Sequence, residues 1–331
     1  MNRVMKRTAC GGDLALSARM ALTMAMLGVL YVAVLAAPLW LLSVGFLPTR
    51  YALGFDGFLL LLLGLQYFSL DRVALAASRA RIVDRAEAPE FHATVERLCG
   101  LADLPKPRLA IVSSDLPNAF ATGSTPARST VVVTRGLVTQ LAPSEVEAVL
   151  AHELSHVANR DGAVMTFASF PSLTLREGLS SARLRVWIFA FPIMLLGCLL
   201  YLITSGLMLT ISRCREYAAD RGSALVTGAP EQLMSALQKI SGNVARIPES
   251  DLREAHTMSA FFIIPTKLRA HSHPPLAKRL ARLAEMAREL GHAEPPASLA
   301  SVPARPTSAL IGLASFAVVF VVVLMVGLRL T

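Results

Sequence analysis

The chain has 331 residues, 54% of them hydrophobic and only 17% charged, with a mean hydropathy of +0.53. That composition excludes an ordinary soluble protein and favours one soluble domain combined with membrane segments. The net charge of +9 comes without a basic stripe interleaved with aromatics, so basic residues facing anionic lipid are expected and nucleic-acid binding is not. The four cysteines form no CxxC pair, which argues against a disulfide framework or a thiolate zinc site.

Two apolar runs near the N-terminus predict a transmembrane hairpin over residues 1–80. Met20–Thr49 carries no charge, and Leu53–Leu70 is interrupted only by Asp56. A signal peptide is the alternative, but the first run is too long and begins too late for one. Basic residues flank the hairpin on both outer sides: Arg3, Lys6, Arg7 and Arg19 before it, and Arg72, Arg79, Arg81 and Arg85 after it. The positive-inside rule therefore places the following segment in the cytoplasm.

Residues 81–290 are predicted to form the main domain, with an α+β and mostly helical fold. Pro89–Leu101 has apolar residues at helical spacing, which predicts a helix. Leu109–Val112 and Thr130–Val133 are short β-branched runs, which predict strands. Asn118–Gly123 lies between them and predicts an edge strand or hairpin. These strands are expected to form a small β-sheet beside the next helix.

That next helix carries a metal-binding pattern within Ala148–Asp161, which reads AVLAHELSHVANRD. His152 and His156 are four residues apart and share a helix face, so both imidazoles can bind one metal ion. Glu153 lies about 100° around the helix from His152, close enough to take a proton from a water at that metal. The spacing therefore predicts a hydrolytic metal site.

A five-residue pattern can occur by chance, so the evidence that this segment is helical matters. Ser144 is a candidate N-cap, Glu147 three residues later completes a predicted capping box, and Pro143 stands just before them. The helix also has a packing surface: Val146, Val149, Leu150, Leu154 and Val157. Both features favour the helix that the metal site requires.

Membrane segments are also expected after the metal-binding helix. Val186–Ser212 is uncharged and long enough to span, whereas Ala163–Leu175 is shorter and less apolar. Either both cross the membrane, or they form a re-entrant hairpin; a membrane hairpin at about 163–212 inserted in the main domain is favoured. A Pro/Ala-rich linker at 291–307 then precedes a C-terminal transmembrane helix at 308–331, which contains the apolar run Ser308–Leu328. The total is four or five membrane segments.

A catalytic zinc site uses three protein ligands and keeps one position open. The candidates for the third ligand are Glu216, Asp220, His256, His271 and His273. Glu216 and Asp220 are four residues apart on a predicted helix, so one can bind the metal while the other orients a histidine. The alternative is a solvated helix face whose carboxylates pair with the neighbouring arginines.

Four motifs in this order resemble the M48 family of membrane zinc metalloproteases, in its HtpX-like branch. They are NAFATG at 118–123, HELSH at 152–156, SRCREYAAD at 212–220 and HSHPPLAKRL at 271–280. The resemblance covers roughly residues 15–290 and implies a gluzincin-type metalloprotease domain.

The resemblance also implies roles for individual residues. Three residues match the ligands of one Zn²⁺ per subunit: His152, His156 and Glu216. Glu153 matches the general base, and Asp220 matches the acid that orients a ligand histidine. Four residues match an edge strand that pairs with the substrate backbone: Asn118, Ala119, Phe120 and Ala121. His273 and Arg279 match a late pair that approaches the cleavage centre and stabilises the oxyanion.

The implied function is hydrolysis of peptide bonds in misfolded or damaged membrane proteins. The enzyme is expected to be a multi-pass protein of the bacterial plasma membrane, with the lipid bilayer around it and its catalytic domain facing the cytoplasm. Two alternatives remain. Cleavage confined to one defined peptide would favour a specific CAAX-type or peptide-processing protease. A fourth protein ligand closing the site would favour a membrane adaptor with structural zinc.

Overall fold

The computed structural model describes residues 14–45, 48–170, 187–245 and 273–292. It opens with two long helices that pack against each other, α1 (Leu14–Ser43) and α2 (Thr49–Ser78). Within them, Ala18–Trp40 and Thr49–Ser69 are long and apolar enough to cross a membrane. Large apolar side chains such as Leu22 are exposed on these helices, as expected for surfaces that face lipid. Both predicted N-terminal spans therefore lie on helices.

A small mixed sheet follows, built from β1 (Arg81–Ile82), β2 (Arg108–Val112), β3 (Ala119–Thr122) and β4 (Thr130–Thr134). The strand order is β1-β2-β4-β3, with β4 parallel to β2 and antiparallel to β3. Every residue of β4 is buried, as expected for a central strand covered on both faces. β3 lies at one edge of the sheet, as predicted.

The edge strand ends at Gly123, where the chain must turn. Gly123 has a φ of +122°, a backbone conformation that residues with a side chain rarely adopt. A Cβ atom at this position would lie 2.7 Å from the carbonyl oxygen of Arg128. Only glycine therefore fits at this position, directly after the strand.

Three helices lie between the strands or directly after them in the chain: α3 (Pro89–Ala102), α4 (Arg135–Gln140) and α5 (Pro143–Ala158), which carries His152 and His156. α5 packs against α3, α4, β3 and β4. The strands thus lie beside the metal-binding helix, as predicted. The helix Pro89–Leu101 is also present and extends one residue further.

The predicted capping box at the start of α5 is wrong. The helix begins at Pro143, and the Glu145 carboxylate accepts a hydrogen bond from the Ala142 N–H at 2.8 Å. Proline suits the first helical position because its φ is fixed and it has no N–H to satisfy. Ser144 instead donates to Gln232 on another helix at 2.9 Å, and Glu147 pairs with Arg97 at 2.7 Å.

Four further helices complete the described chain: α6 (described at residues 161–170), α7 (Trp187–Thr227), α8 (Pro230–Ala245) and α9 (Leu276–Glu289). α7 packs against α5 and α1, and α8 packs against α5. α9 packs against α7 and α8. The fold is therefore mostly helical with a small mixed sheet, as predicted.

Several predicted segments fall partly or wholly outside the described residues. α6 and the first part of α7 belong to the hairpin predicted at about 163–212, but its connection at 171–186 lies outside them. The linker at 291–307 and the C-terminal span lie outside them almost entirely. The domain boundaries and the two additional membrane regions stay predictions.

Candidate metal centre

Three side chains from two helices converge on one point. His152 and His156, on α5, have their Nε2 atoms 3.2 Å apart. Glu216, on α7, places its carboxylate oxygens 3.8 Å from the Nε2 of His152 and 3.6 Å from that of His156. A zinc ion held tetrahedrally at about 2.0–2.1 Å keeps its ligand atoms about 3.3 Å apart. The spacing of these two imidazoles and one carboxylate therefore fits a zinc ion.

Glu216 reaches the histidines because α7 lies very close to α5. A Cβ atom at Gly222 would lie 2.3 Å from the hydroxyl oxygen of Ser155, so only glycine allows this approach. One residue further on, the Ser223 hydroxyl donates to the Ala148 carbonyl at 2.7 Å. These two contacts fix the crossing of the helices that brings the third ligand to the motif.

A separate carboxylate stands behind each ligand histidine. The Nδ1 of His152 lies 3.1 Å from Asp220, and the Nδ1 of His156 lies 2.5 Å from Asp161. A hydrogen bond at Nδ1 fixes the ring and leaves Nε2 free to bind a metal. Asp220 was predicted for this position, and its contact is with His152.

Asp161 was not predicted, although it lies five residues after His156 in the quoted motif. It is the first residue of α6 and is 2% exposed. Arg215 on α7 holds its other oxygen at 2.9 Å. Burial alone would raise the pKa of Asp161, but the charge of Arg215 and the hydrogen bond to His156 hold it below its usual range. Asp161 is therefore anionic and orients His156.

Arg279 lies inside the site and not on the surface. It is 1% exposed and binds Asp220 through two hydrogen bonds of 2.8 and 2.6 Å. Its third nitrogen lies 3.2 Å from Glu216. The alternative in which Glu216 and Asp220 form a solvated helix face is wrong, since they are 6% and 3% exposed. Arg279 thus joins the third ligand to the acid that orients the first.

His273 approaches the same ligand from the loop before α9. Its Nδ1 lies 3.2 Å from Glu216, and its side chain is partly exposed. Burial would raise the pKa of Glu216, but the charges of His273 and Arg279 hold it well below its usual range. Glu216 is therefore anionic, as a zinc ligand must be. The other two candidate ligands, His256 and His271, lie outside the described residues.

Glu153 is buried between the metal ligands and the edge strand. It is 3% exposed. Burial raises the pKa of Glu153, and the charge of Glu216 adds to the shift although His156 and His152 oppose it. The Ala121 N–H of β3 lies close enough to the carboxylate to lower that pKa slightly. A glutamate with a raised pKa is suited to accept a proton and release it again.

The four residues predicted to contact substrate, 118–121, differ in whether their backbone groups point into the sheet or towards its outer edge. Asn118 pairs inwards: its N–H and carbonyl both bond to Thr134, at 2.9 Å each. The side chain of Phe120 packs in the core of the sheet. Because inward and outward groups alternate along an edge strand, Ala119 and Ala121 present their backbone groups to the outer edge.

A helix-borne HExxH motif, a glutamate from a second helix and an adjacent edge strand define a zinc metallopeptidase. Residues 85–287 match the family model described as Peptidase family M48. The chain belongs to peptidase family M48 and is a metalloendopeptidase.

Three relatives match over almost their whole length. A protease HtpX homologue of Moorella thermoacetica is 45% identical over 304 residues, which cover 86% of this chain and 98% of the relative. Protease HtpX homologue 2 of Methanosarcina acetivorans is 43% identical over 84% of this chain and 97% of the relative. Protease HtpX homologue 1 of Streptomyces coelicolor is 41% identical over 86% and 97%. Among solved structures, S. mikatae Ste24p matches with a TM-score of 0.41 and 18% identity, covering 80% of this chain and 67% of that one.

Proposed function

We propose that this protein is a membrane-bound zinc endopeptidase that cleaves extended segments of misfolded or damaged membrane proteins at the cytoplasmic face of a bacterial plasma membrane. The observation that carries the proposal is the convergence of His152, His156 and Glu216 beside the buried Glu153. The helix α5 that carries Glu153 packs against the edge strand β3, where a peptide backbone can pair.

Each polar residue has a distinct part in the proposed hydrolysis. His152, His156 and Glu216 would hold one zinc ion per subunit, which supplies a Lewis acid for the scissile carbonyl and its attacking water. Glu153 accepts the proton of that water and then donates it to the leaving amine. His273, partly exposed beside Glu216, would donate a hydrogen bond to the oxyanion. Arg279 holds Asp220 and Glu216 in place.

The substrate class follows from the edge strand. Backbone pairing at Ala119 and Ala121 recognises an extended chain and reads little of its sequence. Unfolded or damaged segments satisfy that requirement, whereas folded domains do not. The two candidate spans support a location in the bilayer, and the arginines that follow α2 support a cytoplasmic catalytic domain.

The test is digestion of casein, an unfolded model substrate, by the detergent-purified full-length protein. Wild type is compared with Glu153→Gln and with Glu147→Gln, a control on the same helix whose side chain is partly exposed. We expect cleavage by wild type and the control, its loss with a chelator and its return with added zinc. Glu153→Gln should bind one zinc per subunit without turnover.

Two results would contradict the proposal. Turnover that persists in Glu153→Gln would exclude this glutamate as the base. A wild-type protein that holds zinc but cleaves neither casein nor other unfolded chains would favour structural zinc or a narrow processing activity.

A further inference from the structure

A pocket of about 370 Å³ lies beside the edge strand, between α2 and α6. One wall is formed by α2, with Leu60, Leu63 and Gly64. The opposite wall is formed by Ala163 and Phe167 of α6. The volume lies within the range of about 300–1,000 Å³ that is typical of ligand sites. We call it the boundary pocket, because its α2 wall belongs to the candidate span Thr49–Ser69.

The two walls are apolar and are held together by direct contacts. The rings of Tyr67 and Phe167 lie 6.0 Å apart, and the Gln66 amide donates to the Ser169 hydroxyl at 3.4 Å. Leu60 and Phe167 nevertheless remain 55% and 39% exposed. An apolar occupant would remove this surface from water or lipid and gain packing contacts.

Three polar residues of the lining lie outside the two helical walls: Ser124, Thr125 and Arg160. Ser124 and Thr125 come directly after β3 and its turn at Gly123. Arg160, the residue before α6, is exposed and also lines the pocket. Its guanidinium would repel a basic side chain entering there and would attract an acidic one.

The position of the pocket along β3 indicates which part of a substrate reaches it. Glu153 contacts Ala121, so the scissile bond belongs near Ala121. Ser124 follows three residues later, just past the turn at Gly123 that ends the strand. In a substrate strand antiparallel to β3, the residues beside this end lie before the scissile bond.

We propose that the boundary pocket binds an apolar, non-basic segment of the substrate that begins about three residues before the scissile bond. This inference rests on the proposed peptidase function and adds a specificity site to it. A peptide is favoured over a lipid because Ser124 and Thr125, which line the pocket, closely follow the strand that pairs with substrate. The pocket would select chains whose apolar residues stand next to an unfolded stretch, as in a damaged membrane protein.

Gly64 provides a direct way to fill the pocket. A Cβ atom at Gly64 meets nothing within 4 Å, so Gly64→Leu extends into open space without strain. Gly57→Leu is the matched control, since Gly57 also has open space and lies two helical turns away on a similar face, outside the pocket lining. Arg160→Glu is a second variant, which reverses the charge without filling the pocket.

The experiment maps casein cleavage sites by mass spectrometry for the zinc-loaded full-length protein in lipid nanodiscs. We expect wild type and Gly57→Leu to cleave where apolar residues stand three to five positions before the cut. Gly64→Leu should slow those sites about tenfold relative to the others. Arg160→Glu should admit Lys and Arg at these positions.

The outcomes separate this proposal from the proposed function. An active enzyme whose site preference is unchanged in Gly64→Leu and Arg160→Glu would overturn the substrate pocket and leave the peptidase intact. Equal slowing of every site by Gly64→Leu would point to a lipid in the pocket and would also overturn it. A zinc-loaded wild type that cleaves nothing would overturn both proposals.

Discussion

Each histidine of the metal centre is oriented by its own aspartate, and each aspartate is held by its own arginine. Asp220 binds His152 and Arg279, whereas Asp161 binds His156 and Arg215. The two carboxylates are buried, and the positive charge beside each keeps it anionic. The centre is therefore a network of paired charges. A single substitution in it leaves a known partner buried without its opposite charge.

Asp161→Asn should weaken zinc binding, because the neutral amide no longer fixes His156 with Nε2 directed at the metal. Loss of such a partner typically costs 10–100-fold in metal affinity, so a drop of about that size is expected. The measurement is competition with a fluorescent zinc chelator. Asp115→Asn, on an exposed surface residue paired with Arg135, is the control and should match wild type. Wild-type affinity in Asp161→Asn would rule out the orienting role.

Arg279→Met should destabilise the metal-free protein strongly, because it leaves Asp220 and Glu216 buried without their cation. Breaking a buried pair in this way costs about 3–5 kcal/mol. Zinc would neutralise part of that charge, so the loss in melting temperature should be smaller in the zinc-loaded protein. Arg288→Met, on an exposed face of the same helix, should change stability by less than about 0.5 kcal/mol. Equal melting temperatures for both variants would contradict the buried network.

At the scale of elements, the start of α5 is tied to α8 by one glutamate. Glu145 accepts hydrogen bonds from the Ala142 N–H, from Ser235 and from Lys239, the last at 2.8 Å. Burial would raise the pKa of Glu145, but Lys239, Ser235 and the Ala142 N–H together hold it below its usual range. The carboxylate thus caps the metal-binding helix and docks it onto its neighbour.

Glu145→Gln should therefore lower stability at pH 7 by on the order of 1.5–3 kcal/mol, the usual range for hydrogen bonds to a charged group. Since the folded pKa is depressed, this stabilisation is full above the unfolded value of about 4.3 and is lost as the pH falls through the folded value. In thermal unfolding, the difference in stability between Glu145→Gln and wild type should therefore become smaller below about pH 4. Glu147→Gln should have little effect on stability, because Glu147 does not complete a capping box.

Local periodicity explains what the sequence predicts well. The four-residue spacings of His152 with His156 and of Glu216 with Asp220 require only a regular helix, and both helices form. The start of α5 is mispredicted because Ser144 finds a partner on α8, which sequence spacing does not reveal. The burial of Arg279 likewise depends on how α9 packs against α7, a tertiary contact with no local signature.

In the whole molecule, the candidate spans are packed into the catalytic part and do not serve only as an anchor. Leu27 of α1 is 2% exposed, although most of its neighbours face outwards, because it packs against Ala168 of α6 and Ile211 of α7. The Tyr31 hydroxyl donates to the Phe167 carbonyl at 2.8 Å. α6 and α7 carry Asp161 and Glu216, so the same helices contact the first span and supply the metal centre. Membrane insertion and the geometry of the site are thereby linked.

The orientation in the bilayer is tested by cysteine labelling in a variant whose four native cysteines are replaced. Asp115→Cys places a thiol on an exposed surface of the catalytic part, and Val44→Cys places one just after α1, where the side chain is 57% exposed. If the arginines after α2 face the cytoplasm, a membrane-impermeant maleimide should label Val44→Cys in intact spheroplasts and Asp115→Cys only after lysis. The opposite pattern would place the metal centre outside the cytoplasm, where its substrates would be the exported faces of membrane proteins.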